Sequence, residues 1–212
     1  VMIIEAGEGK DANSVEVIRE CLGNGNRDFI TAVDENSVIV VKEILEEVPK
    51  AELERVAKSI ITTLEKEGAS DVHIAYGSIV GELKEVSRSY KEAKMALDVG
   101  KIFFGEREIM AYSELGIGRL IYQLPIPLCK MFIREIFGNE ETVVTINKFF
   151  ENSLNVSETS RQLFIHRNTL VYRLDKLQKS TGLDLRVFED AITFKIAMMV
   201  VKYMKYMETF EY

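Results

Sequence analysis

The sequence predicts an α+β protein, in which an α+β sandwich is followed by an all-α domain. Short strand-like runs alternate with amphipathic helix-like segments through the first part of the 212-residue chain. Beyond Pro125 and Pro127, only helical spacing is found. Residues 142–212 hold 10 basic and 8 acidic side chains, whereas residues 1–141 hold 17 basic and 26 acidic ones. An acidic body joined to a locally basic segment suits a protein whose smaller domain contacts phosphates.

The first part is expected to follow the order β-α-β-β-α-β-α-β, with the helices on one face of the sheet. The predicted strands are 1–6, 29–33, 38–41, 72–76 and 109–112, and the second and third form a hairpin around residues 34–36. The predicted helices are 13–21, one that starts near Pro49 and ends at Gly68, and 83–103. Residues 115–137 are interpreted as a connector.

Four helices are predicted in the remainder, at 143–150, 157–163, 167–181 and 187–207. The expected domains are residues 1–118, a helical connector over 119–140, and an all-α domain over 141–212. The last helix is apolar on more than one face between Ile196 and Met204. Such a helix is either buried in its own domain or shared between two subunits.

Composition excludes several classes of protein. No apolar run approaches the roughly 18 residues that a membrane span needs, and acidic residues interrupt any signal-like stretch at the N-terminus. Cys21 and Cys129 form no CxxC pair and have no zinc-type spacing, so we expect reduced thiols, a cytoplasmic location, and neither metal nor cofactor.

Residues 157–174 have the pattern of two helices that pack across a short turn. Ser157 is predicted to cap the first helix, and Ser160 is small where the two helices approach each other. About three residues separate the helices, which must therefore cross steeply in a helix-turn-helix arrangement, either winged or plain. The residues expected to form their shared core are Leu163, Ile165, Leu170, Leu174 and Leu177.

This arrangement leaves polar side chains on the outward side of the second helix. Arg167, Asn168 and Arg173 are of types that read base edges in the major groove of double-stranded DNA. Thr169, Tyr172 and Lys176 are suited to phosphates or a thymine methyl. Ser157 and Thr159 of the first helix complete the predicted contact set. The alternative is that these are solvated polar faces, but the capped start, short turn, small residue and leucine core occur together and favour DNA binding.

The same residues resemble the C-terminal helix-turn-helix of the PucR/CdaR transcription regulators. The resemblance lies in Leu163-Phe-Ile-His-Arg-Asn-Thr-Leu170, Tyr172-Arg-Leu174 and Thr181-Gly-Leu-Asp-Leu185. Ser160 stands where that family usually has alanine, and Val171 stands where a basic residue is common. The stretch from Ala75 to Leu97 resembles the GGDEF-like domain of the CdaR branch.

The resemblance implies a GGDEF-like α+β sandwich followed by an all-α helix-turn-helix domain. It further implies a sequence-specific, metabolite-responsive transcription regulator. Because helix-turn-helix proteins commonly bind two half-sites as dimers, we also expect a homodimer that binds double-stranded DNA. Such regulators usually carry another N-terminal sensor domain, and none is visible here. We therefore expect a C-terminal fragment of a longer regulator, with any small-molecule effector acting through the missing domain.

An active nucleotide cyclase is the enzymatic alternative to a regulator. The hairpin around Asp34 and Glu35 lacks the paired glycines that would admit a nucleotide, and a solvated turn explains its acidic residues. Gly77, Ser78 and Gly81 fit a strand-to-helix turn as well as a phosphate loop. His73 and His166 lie in different predicted domains, so no catalytic or metal site is predicted. A dimerisation module and a degenerate nucleotide-binding protein remain the other candidates.

Overall fold

A computed structural model describes residues 1–7, 14–22, 27–34, 36–44, 49–105, 107–136 and 143–209. The chain divides into two units, Val1–Tyr122 and Gln123–Tyr212. The predicted α+β class is confirmed, because a five-stranded mixed sheet lies in the first unit and helices make up the second. No helix among the described residues is both long enough and apolar enough to cross a membrane.

The first unit follows the predicted order of strands and helices. Its strands are β1 (Met2–Glu5), β2 (Phe29–Ala32), β3 (Ser37–Val41), β4 (His73–Tyr76) and β5 (Ile109–Ala111). Its helices are α1 (Ser14–Leu22), α2 (Pro49–Lys66), α3 (Val86–Phe103) and α4 (Gly118–Ile121), with short 3-10 turns at Leu83–Glu85 and Tyr112–Glu114. The sheet order is β2-β3-β1-β4-β5, and only the β4–β5 pair is parallel.

Helices cover both faces of the sheet, and the prediction that they lie on one face is wrong. Met2 and Ile4 point into a core shared with α1 and α2, whereas Ile3 between them points into a second core shared with α3. The same alternation puts Ile74 in the first core and Ala75 in the second. A strand that is apolar at consecutive positions is buried on both sides, because successive side chains point to opposite faces.

The glycine after β4 and the β2–β3 turn both have structural explanations. A Cβ on Gly77 would lie 2.0 Å from the carbonyl oxygen of Ser89, so only glycine lets the end of β4 meet α3 this closely. In the hairpin turn, the Asp34 carboxylate accepts a hydrogen bond from the Asn36 N–H at 2.8 Å. This is the turn chemistry expected of aspartate. Glu35 lies outside the described residues.

The described residues of the second unit form five helices and contain no strand. The helices are α5 (Ile126–Ile136), α6 (Val143–Glu151), α7 (Val156–Gln162), α8 (Arg167–Thr181) and α9 (Phe188–Glu208). The apolar stretch of α9 is largely buried in its own unit, because Ala197, Met198, Val200 and Tyr203 are all buried. The Tyr203 hydroxyl donates to the Leu124 carbonyl at 3.4 Å.

Candidate nucleic-acid interface

Asn155, and not the predicted Ser157, caps the first helix of the pair. The Asn155 side chain accepts a hydrogen bond from the Glu158 N–H at 3.0 Å, and its backbone is extended as an N-cap requires. Ser153 and Leu154 have positive φ and turn the chain just before this point. Ser157 therefore lies inside α7, where its hydroxyl-bearing side chain is exposed and its carbonyl accepts a bond from Ser160.

Thr159 is also a correction to the predicted contact set. Its side chain is 0% exposed, so it is unavailable to a phosphate or a base in this conformation. Ser160 beside it is buried too, as expected for the small residue at the crossing of α7 and α8. Both residues lie on the inward side of a seven-residue helix whose outward side carries Ser157 and Arg161.

Residues 163–166 form the turn between the two helices. Phe164 adopts φ +55° in the left-handed region, and its ring is 95% exposed. His166 then caps α8, because the Asn168 N–H donates to its Nδ1 at 3.2 Å. His166 thus has a structural role at the start of α8.

The second helix has the bounds that the sequence predicts, Arg167–Thr181. Leu170, Leu174 and Leu177 are buried in a core with α5, α6 and α9, and Ile165 packs against them. The helix ends at Gly182, which has φ +78° and donates its N–H to the Gln178 carbonyl. Glycine is the residue that adopts this left-handed end without a steric penalty.

The side opposite these leucines carries two rows of exposed side chains. Asn168 and Tyr172 are four residues apart and Lys179 follows seven residues after Tyr172, so at 3.6 residues per turn they share one outward row. Thr169 and Lys176, also seven residues apart, form the neighbouring row. Tyr172 is 68% exposed. Lys179 was not in the predicted set, although its seven-residue spacing from Tyr172 is a signal that could have identified it.

Arg167 and Arg173 do not share that outward row. They are six residues apart, which places them about 120° from each other around the helix, on opposite flanks of the exposed face. The Arg173 guanidinium donates to the hydroxyl of the buried Thr145 on α6 at 2.9 Å. The structure therefore brings Asn168 together with Tyr172, Thr169 and Lys176, while Arg173 is held against α6.

Comparison with known domain families assigns both parts of the chain. Residues 1–99 match the GGDEF-like domain, and residues 142–200 match the PucR C-terminal helix-turn-helix domain. The chain therefore carries a GGDEF-like domain and a PucR C-terminal helix-turn-helix domain. The predicted resemblance is thereby confirmed, and the pair α7–α8 is the helix-turn-helix of a PucR-type domain.

Several curated regulators are similar to this chain. The DNA-binding transcriptional activator AdeR of Bacillus subtilis is 30% identical over 74% of this chain and 40% of its own length. The carbohydrate diacid regulator of Escherichia coli is 26% identical over 94% of this chain and 56% of its own length. The proline-responsive transcriptional activator PutR of Bacillus subtilis is 24% identical over 95% and 53% respectively. The chain thus spans about half the length of these relatives.

The electrostatics of the PucR-type α8 favour a negatively charged partner. Within the described residues, Arg167, Lys176 and Lys179 form no salt bridge. The acidic side chains of the same motif are occupied, since Glu158 is ion-paired with Arg161 and Asp175 lies 2.9 Å from Arg186. The exposed face of α8 therefore presents positive charge beside an amide and a phenol.

Proposed function

We propose that this chain is a sequence-specific DNA-binding transcription regulator whose α8 enters the major groove. The observation that carries the proposal is the exposed face of α8, where Asn168 lies beside Tyr172 and basic residues without a described acidic partner. The names of the similar proteins, which include transcriptional activators and regulators, support it. Helices of this kind, in the second position of a helix-turn-helix, read base edges from their N-terminal half.

Asn168 and Arg167, at the start of α8, are the proposed base readers. An asparagine amide can bond the adenine edge and a guanidinium can bond guanine with two hydrogen bonds. Tyr172, Thr169, Lys176 and Lys179 are proposed to contact phosphates, which set the register of the helix on the duplex. For Arg173, the bond to Thr145 favours a phosphate contact at the flank, where its remaining N–H groups are available. A phosphate contact of Ser157 stays a prediction.

We further propose that the GGDEF-like domain has no cyclase activity. A cleft of about 340 Å³ is lined by residues at the end of β1, the start of β4 and the end of α3. Its lysine, Lys101, is ion-paired with Glu5, and the His73 ring nitrogen Nδ1 contacts the Asp71 carbonyl at 3.1 Å. The cleft's cation is thus already neutralised by a carboxylate, which disfavours a nucleotide phosphate. Addition of ATP or GTP with Mg²⁺ should leave the nucleotide unconverted and the melting temperature unchanged.

A salt titration of binding to mixed-sequence duplex DNA tests the main proposal. For the unmodified chain, the logarithm of the binding constant should fall linearly with the logarithm of salt concentration, because phosphate contacts release counterions. The double variant Lys176→Ala/Lys179→Ala should lower the magnitude of the slope by about 2, since each phosphate contact contributes about 0.9.

The control for this titration is Lys58→Ala/Lys66→Ala, which makes the same charge change on the exposed face of α2 in the other unit. It should leave the slope unchanged. Equal slopes for all three proteins would show that Lys176 and Lys179 of α8 do not contact the phosphates of DNA. An absence of salt-sensitive binding by the unmodified chain at micromolar concentration would reject the proposed function. A cytoplasmic location, homodimerisation and a response to a metabolite stay predictions that accompany it.

A further inference from the structure

Among the described residues, no strand pairs with the outer edge of β2, and the strand carries no charged side chain. β2 is the first strand of the sheet, and among the described residues only β3 pairs with it. The run Phe29-Ile-Thr-Ala-Val33 contains no charged residue, and an uncharged edge of this kind readily pairs with another strand. Phe29 is 70% exposed and Val33 is 57% exposed. Such an edge can pair with a further strand, and the outward backbone groups and flanking residues of β2 indicate which strand fits.

Backbone groups of Ile30 and Ala32 point away from the sheet. The Val33 N–H donates to the Ser37 carbonyl at 2.9 Å, which makes Val33 and Ser37 a hydrogen-bonded pair. Because such pairs alternate along an antiparallel ladder, Thr31 and Phe29 also bond to β3, and Ile30 and Ala32 face outward. The only described bond to these outward groups is a long one of 3.4 Å, from the Thr31 hydroxyl to the Ala32 carbonyl.

We propose that β2 pairs antiparallel with β2 of a second copy of this chain, with Thr31 on the two-fold axis. In this register Ile30 faces the partner's Ala32, and the two exchange both backbone hydrogen bonds, as do the symmetry-related residues. Phe29 then faces the partner's Val33 on the exposed side of the sheet. The pairing gives hydrogen-bond partners to the outward backbone groups of Ile30 and Ala32. It also packs Phe29 of each copy against Val33 of the other.

The residues that flank the run define the register. Asp28 precedes it and Asp34 follows it. A shift of the partner strand by two residues in either direction would place one of these carboxylates opposite Ala32 or Ile30 and remove the symmetric contact between Phe29 and Val33. In the proposed register both carboxylates lie outside the paired run and are engaged within their own chain. Asp28 accepts the Glu43 N–H and lies 3.5 Å from the buried Lys42 ammonium, and Asp34 accepts the Asn36 N–H.

The pairing is expected to be weak when the protein is free in solution. A single edge contact is smaller than the roughly 1,200–2,000 Å² that stable protein interfaces bury. On a duplex with two half-sites, the bound copies would be held close together, and the higher effective concentration would strengthen the same contact. Tests in solution must therefore reach protein concentrations in the high micromolar range.

Sedimentation equilibrium of the full chain, without DNA, tests the proposal independently of the proposed function. The mass of the unmodified protein should rise with concentration from 24.2 kDa toward twice that value. Thr31→Lys places two like charges on the axis and should weaken association at least about tenfold. Thr62→Lys, on the exposed face of α2, is the matched control and should associate like the unmodified protein.

Disulfide trapping tests the register itself. Under mild oxidation Thr31→Cys should give a covalent dimer, because residues facing each other in a non-hydrogen-bonded pair have Cα atoms about 4.5 Å apart. Phe29→Cys alone should give no covalent dimer, because position 29 faces position 33 of the partner. The double variant Phe29→Cys/Val33→Cys should give one. A protein that stays monomeric throughout and yields no trapped dimer overturns the proposal. The proposal is also overturned if the Thr31→Lys variant still dimerises and disulfide trapping occurs only through Cys21 or Cys129.

Discussion

Asn168 is the residue of α8 that we propose distinguishes one base from another. It lies in the first turn, its side chain is exposed, and its backbone N–H is already satisfied by His166. We expect Asn168→Ala to weaken binding to selected cognate sites by about 1–3 kcal/mol, the value of a bidentate base contact. Binding to random duplex should change little, because non-specific binding depends on phosphates. Selection of sites from a random library, followed by affinity measurement on both kinds of DNA, checks this.

Thr169→Ala is the matched control, since it truncates a neighbouring polar side chain in the row assigned to phosphates. It should leave the ratio of cognate to random affinity near that of the unmodified protein. Equal losses on cognate and random DNA for Asn168→Ala would show that Asn168 does not read a base.

Burial makes Thr159 a residue that affects stability and not DNA binding. Its hydroxyl oxygen is buried and has no hydrogen-bond partner among the described residues. An unsatisfied buried hydroxyl costs about 1–3 kcal/mol, and valine has nearly the same shape and helix propensity. Thr159→Val should therefore raise the free energy of unfolding by about 1 kcal/mol and leave DNA affinity unchanged. Urea denaturation measures the first quantity and a binding titration the second.

Ser160→Val serves as the contrasting variant for this experiment. The Ser160 hydroxyl does have a partner, the Ser157 carbonyl at 2.9 Å, and its site lies at the crossing of two helices. This variant should destabilise the protein through the lost bond and overpacking. If Thr159→Val also destabilised the protein, the hydroxyl would have a partner in solution.

Arg186 ties the loop between α8 and α9 back onto α8. Its guanidinium makes two hydrogen bonds to the Asp184 carboxylate, at 2.7 and 3.1 Å, and lies 2.9 Å from Asp175. The hydrogen bonds from Arg186 hold the pKa of the Asp184 carboxyl below its usual value. Because the folded state lowers this pKa, the interaction stabilises the protein above the unfolded pKa of about 4 and is lost as the pH falls through the folded value.

Replacing this arginine should therefore have a pH-dependent effect on stability. Arg186→Gln is expected to lower the free energy of unfolding at pH 6–7 by less than about 1 kcal/mol, the value typical of an exposed ion pair, and to lower the melting temperature accordingly. The difference from the unmodified protein should shrink as the pH falls below about 4. Lys179→Gln makes the same charge change without a described ion pair and should show no such trend. Thermal melts across pH measure both, and a constant difference for Arg186→Gln would contradict the role of Asp184.

The helices and strands could be predicted where local signals agree. The bounds of α8 follow from a polar start, leucines three and four residues apart, and a glycine at the end. The N-cap of α7 could not be chosen in this way, because Asn155 and Ser157 are both good caps two positions apart. The positive φ values of Ser153 and Leu154 decide between them, and neither residue type predicts that conformation.

Features that depend on residues distant in the chain were less accessible to sequence reasoning. The contact of Arg173 with Thr145 spans 28 residues and moves one predicted base reader to the flank of α8. The covering of both sheet faces had a local signal, since Met2, Ile3 and Ile4 are consecutive apolar residues. Consecutive apolar residues indicate burial on both faces of the sheet, whereas the prediction placed helices on one face only. Lys179 follows from periodicity alone once the outward row is defined by Asn168 and Tyr172.

The two units of the whole molecule carry the two proposed activities separately. The exposed face of α8, its leucine core and both of its ends lie within residues 123–212, whereas the β2 edge lies within residues 1–122. We therefore expect a fragment of residues 123–212 to fold into a helical unit and to bind a single half-site with nearly the salt slope of the whole chain. Far-ultraviolet circular dichroism and the salt titration measure these two properties.

The same fragment should lose cooperative binding to a duplex with two half-sites about 34 Å apart, the spacing of one helical turn. The whole chain should bind such a duplex cooperatively, because β2 pairing adds a favourable contact between adjacent copies. The whole-length Thr31→Lys variant should behave like the fragment on two half-sites while matching the unmodified chain on one. Cooperative binding by the fragment would instead place the contact between copies in the helical unit, where Leu128, Met131 and Phe188 are exposed apolar side chains.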